Sequence, residues 1–153
     1  MKNKTDKLTD DFTLEDFIPY RLAVLAKSVS TAFSKTYAER FGISIPQWRV
    51  MAAIGREPNC TASSIVEHAA MDKVQVSRAV SGLVQMGHLK SKIDYKDRRN
   101  AVLSFTEQGQ RIYNKIVPTG REFESKLMSV MDKEELENID HLLKKLTSQA
   151  RKL

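Results

Sequence analysis

Little in this chain can hold a fold together covalently or through a metal. It has one cysteine, Cys60, and three histidines, His68, His88 and His141, scattered along 153 residues. An internal disulfide is excluded, and no paired-cysteine spacing or His-Glu-x-x-His phrase offers a zinc site, so no metal is expected. Cys60 is read as a buried structural thiol, and a lone cysteine suits a reducing cytoplasm. Long apolar runs are missing too, since nothing approaches the roughly 20 residues needed to cross a bilayer. The N-terminal Lys2, Lys4 and Lys7 lead into Asp10, Asp11, Glu15 and Asp16 rather than into an apolar stretch, so no secretion signal is expected.

Catalytic phrases are equally scarce. Gly82-x-x-x-x-Gly87 has the spacing of a phosphate loop, but His88 and Leu89 stand where the lysine and the Ser/Thr are required. No Gly-x-Ser-x-Gly nucleophile turn is present. Neither an enzyme nor a cofactor is expected. What is present is globular: 41% apolar and 29% charged residues, in a chain long enough to bury roughly 70% of its unfolded surface. Lysine and arginine number 25 against 19 acidic residues, a formal charge of +6. A polyanion, a membrane surface or an acidic protein would each suit that charge, and basicity alone does not choose among them.

Periodicity orders the chain as a mainly α protein. Residues 1–11 are polar and are expected to form a flexible tail. Leu22, Leu25, Ala26, Val29, Phe33 and Tyr37 recur at three- and four-residue steps, predicting one long helix from Pro19 to Phe41, closed by Gly42, within a unit spanning 12–43. Ser44-Ile45-Pro46 opens a second helix with Trp48, Met51, Ala52 and Ile54 on its inner side, ending near Gly55 and Pro58. Thr61 caps a short helix carrying Ile65, Val66 and Ala69. Asp72 caps another with Val76, Val80, Leu83 and Val84 inward, and Gly87 closes it.

Two short helices joined by a tight connection form a helix-turn-helix, whose second helix can offer its outer face to a DNA major groove. That face carries Lys73, Gln75, Ser77, Arg78 and Ser81. Arginine and glutamine suit guanine and adenine edges, whereas lysine and serine more often fix phosphates. Ser63 and Ser64, at the start of the preceding helix, are further candidates for phosphate. Leu89–Asp94 and Asn100–Phe105 read as a β-hairpin with the charged tip Tyr95-Lys96-Asp97-Arg98-Arg99, where Lys90, Lys92, Lys96, Arg98 and Arg99 outweigh Asp94 and Asp97. A helix-turn-helix followed by such a hairpin is a winged helix, here spanning 44–106. A guanidinium fits a narrow minor groove, so Arg98 and Arg99 are the leading wing contacts, with Asp97 positioning an arginine through a charge-assisted bond.

Beyond the wing, residues 107–153 read as C-terminal helices. Thr106 opens the first, with Ile112 and Ile116 inward, and Pro118 and Gly120 are expected to kink or interrupt it before Phe123, Leu127 and Val130. Asp132-Lys133-Glu134-Glu135 resembles a capping box, followed by the stripe Leu136, Ile139, Leu142, Leu143 and Leu146. Apolar stripes at both ends of the chain exceed what one small winged core covers, so a second copy is expected to cover them.

From about Asp16 to Leu146 the chain resembles the MarR (multiple antibiotic resistance regulator) family. The likeness is carried by Met71-Asp72-Lys73-Val74-Gln75-Val76-Ser77-Arg78-Ala79-Val80, by Leu83 and Gly87-His88-Leu89, and above all by Asp94-x-x-Asp97-Arg98-Arg99 followed by Leu103-x-x-Thr106-x-x-Gly109. The resemblance implies a homodimeric regulator, usually a repressor, on a pseudo-palindromic operator. It points first to Arg99 in the wing. It also implies a small-molecule effector, often an aromatic acid or related anion, between the dimer arm and the winged domain. Tyr20, Arg21, Ala26, Val29, Phe33, Trp48, Arg49 and Met51 are the candidate lining, and the opening Phe17-Ile18-Pro19-Tyr20-Arg21 is similar to that of regulators of aromatic-acid breakdown, some of which sense aromatic coenzyme A thioesters. A sequence-indifferent architectural DNA binder would share the same charge; equal affinity for all duplexes at matched salt would identify it.

Overall fold

The computed structural model describes residues 12–93 and 101–153. The expected tail, 1–11, and the wing tip with Asp97, Arg98 and Arg99 lie outside the described residues. The described helices are α1 (Ile18–Ser34), α2 (Ala38–Phe41), α3 (Ile45–Arg56), α4 (Ala62–His68), α5 (Lys73–Gln85), α6 (Glu107–Met128) and α7 (Lys133–Ala150), with strands β1 (Cys60–Thr61), β2 (Leu89–Ile93) and β3 (Ala101–Phe105).

Local chemistry sets most of these starts. The Ser44, Thr61, Asp72 and Asp132 side chains each accept from the third backbone N–H of their helix, and Gln47, Ser64, Gln75 and Glu135 return the bond to complete capping boxes. Thr106 caps α6 by accepting from Gly109 N at 3.0 Å. Pro19 stands in the first turn of α1, where its missing N–H costs nothing. Gly42 and Gly87 end α2 and α5 with φ of 67° and 74°, the left-handed region that disfavours a Cβ.

The sheet has the order β1-β3-β2, antiparallel throughout, with Cys60 opposite Leu103 and Leu89 opposite Phe105. It flanks the helix-turn-helix, and the core between them is built from Val50, Met51 and Ile54 of α3, Ile65 of α4, Val76, Ala79 and Leu83 of α5, Leu89 and Leu103 of the sheet and Ile116 of α6. Val50 and Ala79, not assigned inward from the sequence, are buried, whereas Val84 is exposed.

Two expectations are corrected. The predicted Pro19–Phe41 helix stops at Ser34. The Ser34 and Thr36 hydroxyls donate to the carbonyls of Thr31 and Phe33, at 2.7 and 2.8 Å, and Thr36 N and Tyr37 N bond three residues back. This local competition unwinds the helical ladder and turns the Tyr37 ring into the core, where it is 1% exposed. Conversely, Pro118 does not interrupt α6, which runs unbroken from Glu107 to Met128. The ring sits on the exposed side, so the break costs one backbone bond, and the next residue's hydroxyl, Thr119, donates to the Ile116 carbonyl at 2.7 Å. Gly120 is a close-approach position instead: a Cβ there would lie 3.2 Å from the Phe33 ring. Val130 lies beyond the helix end.

Candidate nucleic-acid interface

The outer face of α5 is held ready by the residues behind it. Val76, Ala79 and Leu83 anchor one side in the core, which leaves Lys73, Gln75, Ser77, Arg78 and Ser81 exposed on the other. Ser63 of α4, Lys73, Ser77 and Ser81 of α5 and Ser91 of β2 border one groove of about 380 Å³ between the helices and the sheet. Four of these were picked out in the sequence. Ser91 was not, because an alternating strand pattern says nothing about which helix its face meets. Among the described residues the ion pairs lie on α6 and α7, at Glu107–Arg111, Lys133–Glu137 and Asp140–Lys144, and none neutralises Lys73 or Arg78.

Hydrogen bonding separates the polar candidates. The Gln75 side-chain oxygen accepts from Asp72 N at 3.1 Å, so its amide is partly committed to the cap. Ser64 donates to the Thr61 carbonyl at 2.9 Å and also accepts from Thr61 N at 3.2 Å, whereas Ser63 is exposed. Lys73, Ser77, Arg78 and Ser81 project without such ties among the described residues. Burial pushes the Cys60 thiol up, which disfavours the reactive thiolate. No group of metal-ligating side chains occurs among the described residues. No described helix is long and apolar enough to cross a membrane.

A second feature lies on the far side of α3. Val29, Phe33, Trp48 and Arg49 meet Phe123 and Leu127 around a cleft of about 540 Å³ that also touches α7 through Ile139 and Leu143. Its walls are aromatic: the Phe33 ring packs edge-on to Trp48 at 5.6 Å and lies 5.3 Å from Phe123. Of the sequence candidates, Val29, Phe33, Trp48 and Arg49 come together here. Met51 is fully buried in the core, and Tyr20, Arg21 and Ala26 lie on the exposed N-terminal part of α1, off this cleft. Tyr37 was missed. Its hydroxyl is buried with no hydrogen-bond partner among the described residues, and burial pushes its pKa up to about 12.

A helix-turn-helix backed by a three-stranded sheet, with the second helix exposed and its cations unpaired among the described residues, defines a winged-helix DNA-binding protein. Residues 41–100 match the model of the MarR family, and the relatives are transcriptional regulators and the solved structures share the fold. The HTH-type transcriptional regulator BilQ of Clostridium symbiosum is 28% identical over 116 residues, covering 76% of this chain and 81% of BilQ. The transcriptional regulator HosA of Escherichia coli is 23% identical over 101 residues, 66% of this chain and 75% of HosA. A MarR/EmrR family transcriptional regulator from Acinetobacter sp. ADP1 shares the fold with a TM-score of 0.84 at 24% identity, over 93% of this chain and 100% of that one. BpsR of Bordetella bronchiseptica, whose DNA binding is regulated by 6-hydroxynicotinic acid, has a TM-score of 0.78 at 19% identity, over 89% of this chain and 96% of that one. The matched proteins are regulators rather than enzymes.

Proposed function

We propose that the protein is a ligand-responsive repressor that binds a pseudo-palindromic operator as a homodimer. The observation that carries this reading is the outer face of α5, where Lys73 and Arg78 are exposed beside Ser77 and Ser81 with no acidic partner among the described residues. In this reading Arg78, with Gln75, reads base edges while Lys73, Ser77, Ser81 and Ser63 fix phosphate, and Ser64, whose hydroxyl and N–H both donate to Thr61, serves the cap instead. Arg98 and Arg99 enter the adjoining minor groove, and Asp97 positions them. One helix reads too few base pairs for a genome-wide address. A two-fold pair of winged helices with half-sites about 10 base pairs apart supplies the rest.

Two further observations support the dimer and the ligand. Apolar side chains stand uncovered along α1 and α7, with Leu25 56% and Leu142 53% exposed, more than an isolated protomer tolerates. The cleft beside α3 offers aromatic walls and the Arg49 cation, which suits an aromatic acid or related anion, an aromatic coenzyme A thioester included. BpsR, with a similar fold, answers to 6-hydroxynicotinic acid.

Selection of bound genomic fragments, followed by titration of the enriched duplex against a scrambled one at matched salt, tests the reading. A preference of a thousand-fold or more is expected for a specific regulator. Equal affinity for both duplexes would replace it with architectural DNA binding.

A further inference from the structure

Arg49 stands in the wall between the cleft and the turn of the helix-turn-helix. On the cleft side, one guanidinium nitrogen donates to the Ser30 hydroxyl of α1 at 3.3 Å; on the other, the second donates to the backbone carbonyl of Ala70 at 3.4 Å. Ala70 belongs to the α4–α5 turn, and with His68 and Ala69 it borders a separate hollow of about 380 Å³ that Arg49 also lines. The same side chain therefore lines both cavities.

The turn it holds is an unfavourable one. Ala70 has φ of 49°, in the left-handed region where a helix end ordinarily places glycine or asparagine. A Cβ there costs about 1 kcal/mol or more, so contacts from outside the turn must keep it in place. Two residues on, Asp72 caps α5, the helix with the DNA-facing side chains. Whatever loosens Ala70 loosens the start of α5.

We infer that Arg49 is a strut between cleft and turn: without ligand it holds the Ala70 carbonyl, and a carboxylate or similar anion seated in the cleft draws the guanidinium away and frees the turn before α5. Both present bonds are long and made to neutral oxygens. A carboxylate accepts from a guanidinium at about 2.8 Å, often through both oxygens, with roughly twice the strength of a neutral acceptor. Tyr37 also lines this cleft, and its buried hydroxyl, protonated at neutral pH, has no hydrogen-bond partner among the described residues. Glu124 sits at the exposed rim of this cleft and would favour a cation instead, which makes ligand charge a discriminating variable. The inference rests on the reading of the cleft as a ligand site, but its ligand-free half does not.

Hydrogen exchange of the full-length protein tests that half. Arg49→Met should speed amide exchange over residues 70–75 by about ten-fold, the loss expected for a hydrogen bond from a charged donor, while α7 keeps its protection. If Arg49→Met unfolds the protein, Arg49→Lys serves the same comparison, because its single ammonium cannot span both oxygens. Unchanged exchange over 70–75 in a folded variant would overturn the strut. The ligand half uses phenylacetate, neutral phenylacetamide and cationic phenethylamine, with binding followed through Trp48, the one tryptophan. Phenylacetate should quench Trp48 and speed exchange over 70–75 in the wild type; the amide should not do so, and Arg49→Met should not respond. Phenylacetate that binds while the turn stays protected, or preferential binding of the amine, would overturn the release. Failure of all three to bind would remove the anion half and count against the ligand-responsive reading, leaving the strut decided by the unliganded comparison.

Discussion

Gly109 packs its α-carbon directly against the backbone of His88: a Cβ added there would lie 2.8 Å from the His88 carbonyl carbon and overlap its oxygen. The same junction is tied by Thr106, whose hydroxyl donates to the Gly87 carbonyl at 2.6 Å and whose backbone N–H donates to the His88 carbonyl at 3.0 Å. Thr106 and Gly109 thus join the end of α5, the first wing strand and the start of α6 into one rigid corner.

Gly109→Ala should therefore destabilise the protein by about 3 kcal/mol, the upper part of the range for overpacking, because the atoms it strikes are backbone and cannot rotate away. Urea unfolding at fixed protein concentration measures it. A change under about 0.5 kcal/mol would mean that α6 can shift without cost.

The His88 imidazole is buried at the same corner, 4% exposed, with Nδ1 lacking a partner among the described residues. Burial holds its pKa below the ordinary imidazole value. The folded state thus binds a proton less readily than the unfolded chain, whose imidazole titrates near 6.5. Stability from this residue is complete above that pH and declines as pH falls below it toward the depressed folded value. His88→Leu should flatten the stability profile between pH 7 and 5, read by urea midpoints across that range. A variant with the wild-type slope would assign the acid sensitivity elsewhere.

Helix starts were legible because a cap is a local bargain between a side chain and the next three amides. Ser44, Thr61, Asp72, Thr106 and Asp132 were all read from sequence and all cap. Where a helix continues or stops depends on the rest of the fold. Tyr37 leaves its helix to enter the core, and Pro118 stays within one because its ring faces outward, and neither fact is visible in a periodicity. The cleft divides in the same way. Val29, Phe33 and Trp48 lie on apolar faces that the sequence displays, with Arg49 the cation next to Trp48, but Phe123, Leu127 and Leu143 join them only through the packing of α6 and α7. Ala26 shares the stripe of α1, but Tyr20, Arg21 and Ala26 all precede the stretch of α1 that lines the cleft.

The wing tip is the strongest phrase in the sequence, and its role is testable by substitution. Arg99→Ala should weaken operator binding by about 1–3 kcal/mol while the oligomeric state is unchanged, since an arginine placed on the nucleic acid contributes about that much. Binding at fixed salt with a defined duplex measures the loss, and sedimentation measures the assembly. Wild-type affinity would remove Arg99 from the interface.

The proposed dimer would use the uncovered faces of α1 and α7. Truncation before Asp132 should abolish dimerisation and specific binding together, because each half-site alone binds weakly and the second acts through its high local concentration. Deletion also removes Ile139 and Leu143 from the cleft wall, so a gentler variant separates folding from assembly. Leu142 and Leu146 are 53% and 47% exposed in the protomer. Replacing both by glutamate leaves the protomer core untouched but places two charges where a partner would have to desolvate them. The expected product is a folded monomer with specific binding reduced to the non-specific level, seen as wild-type helicity by circular dichroism and halved mass in sedimentation. A double variant that still sediments as a dimer would move the subunit interface away from α7.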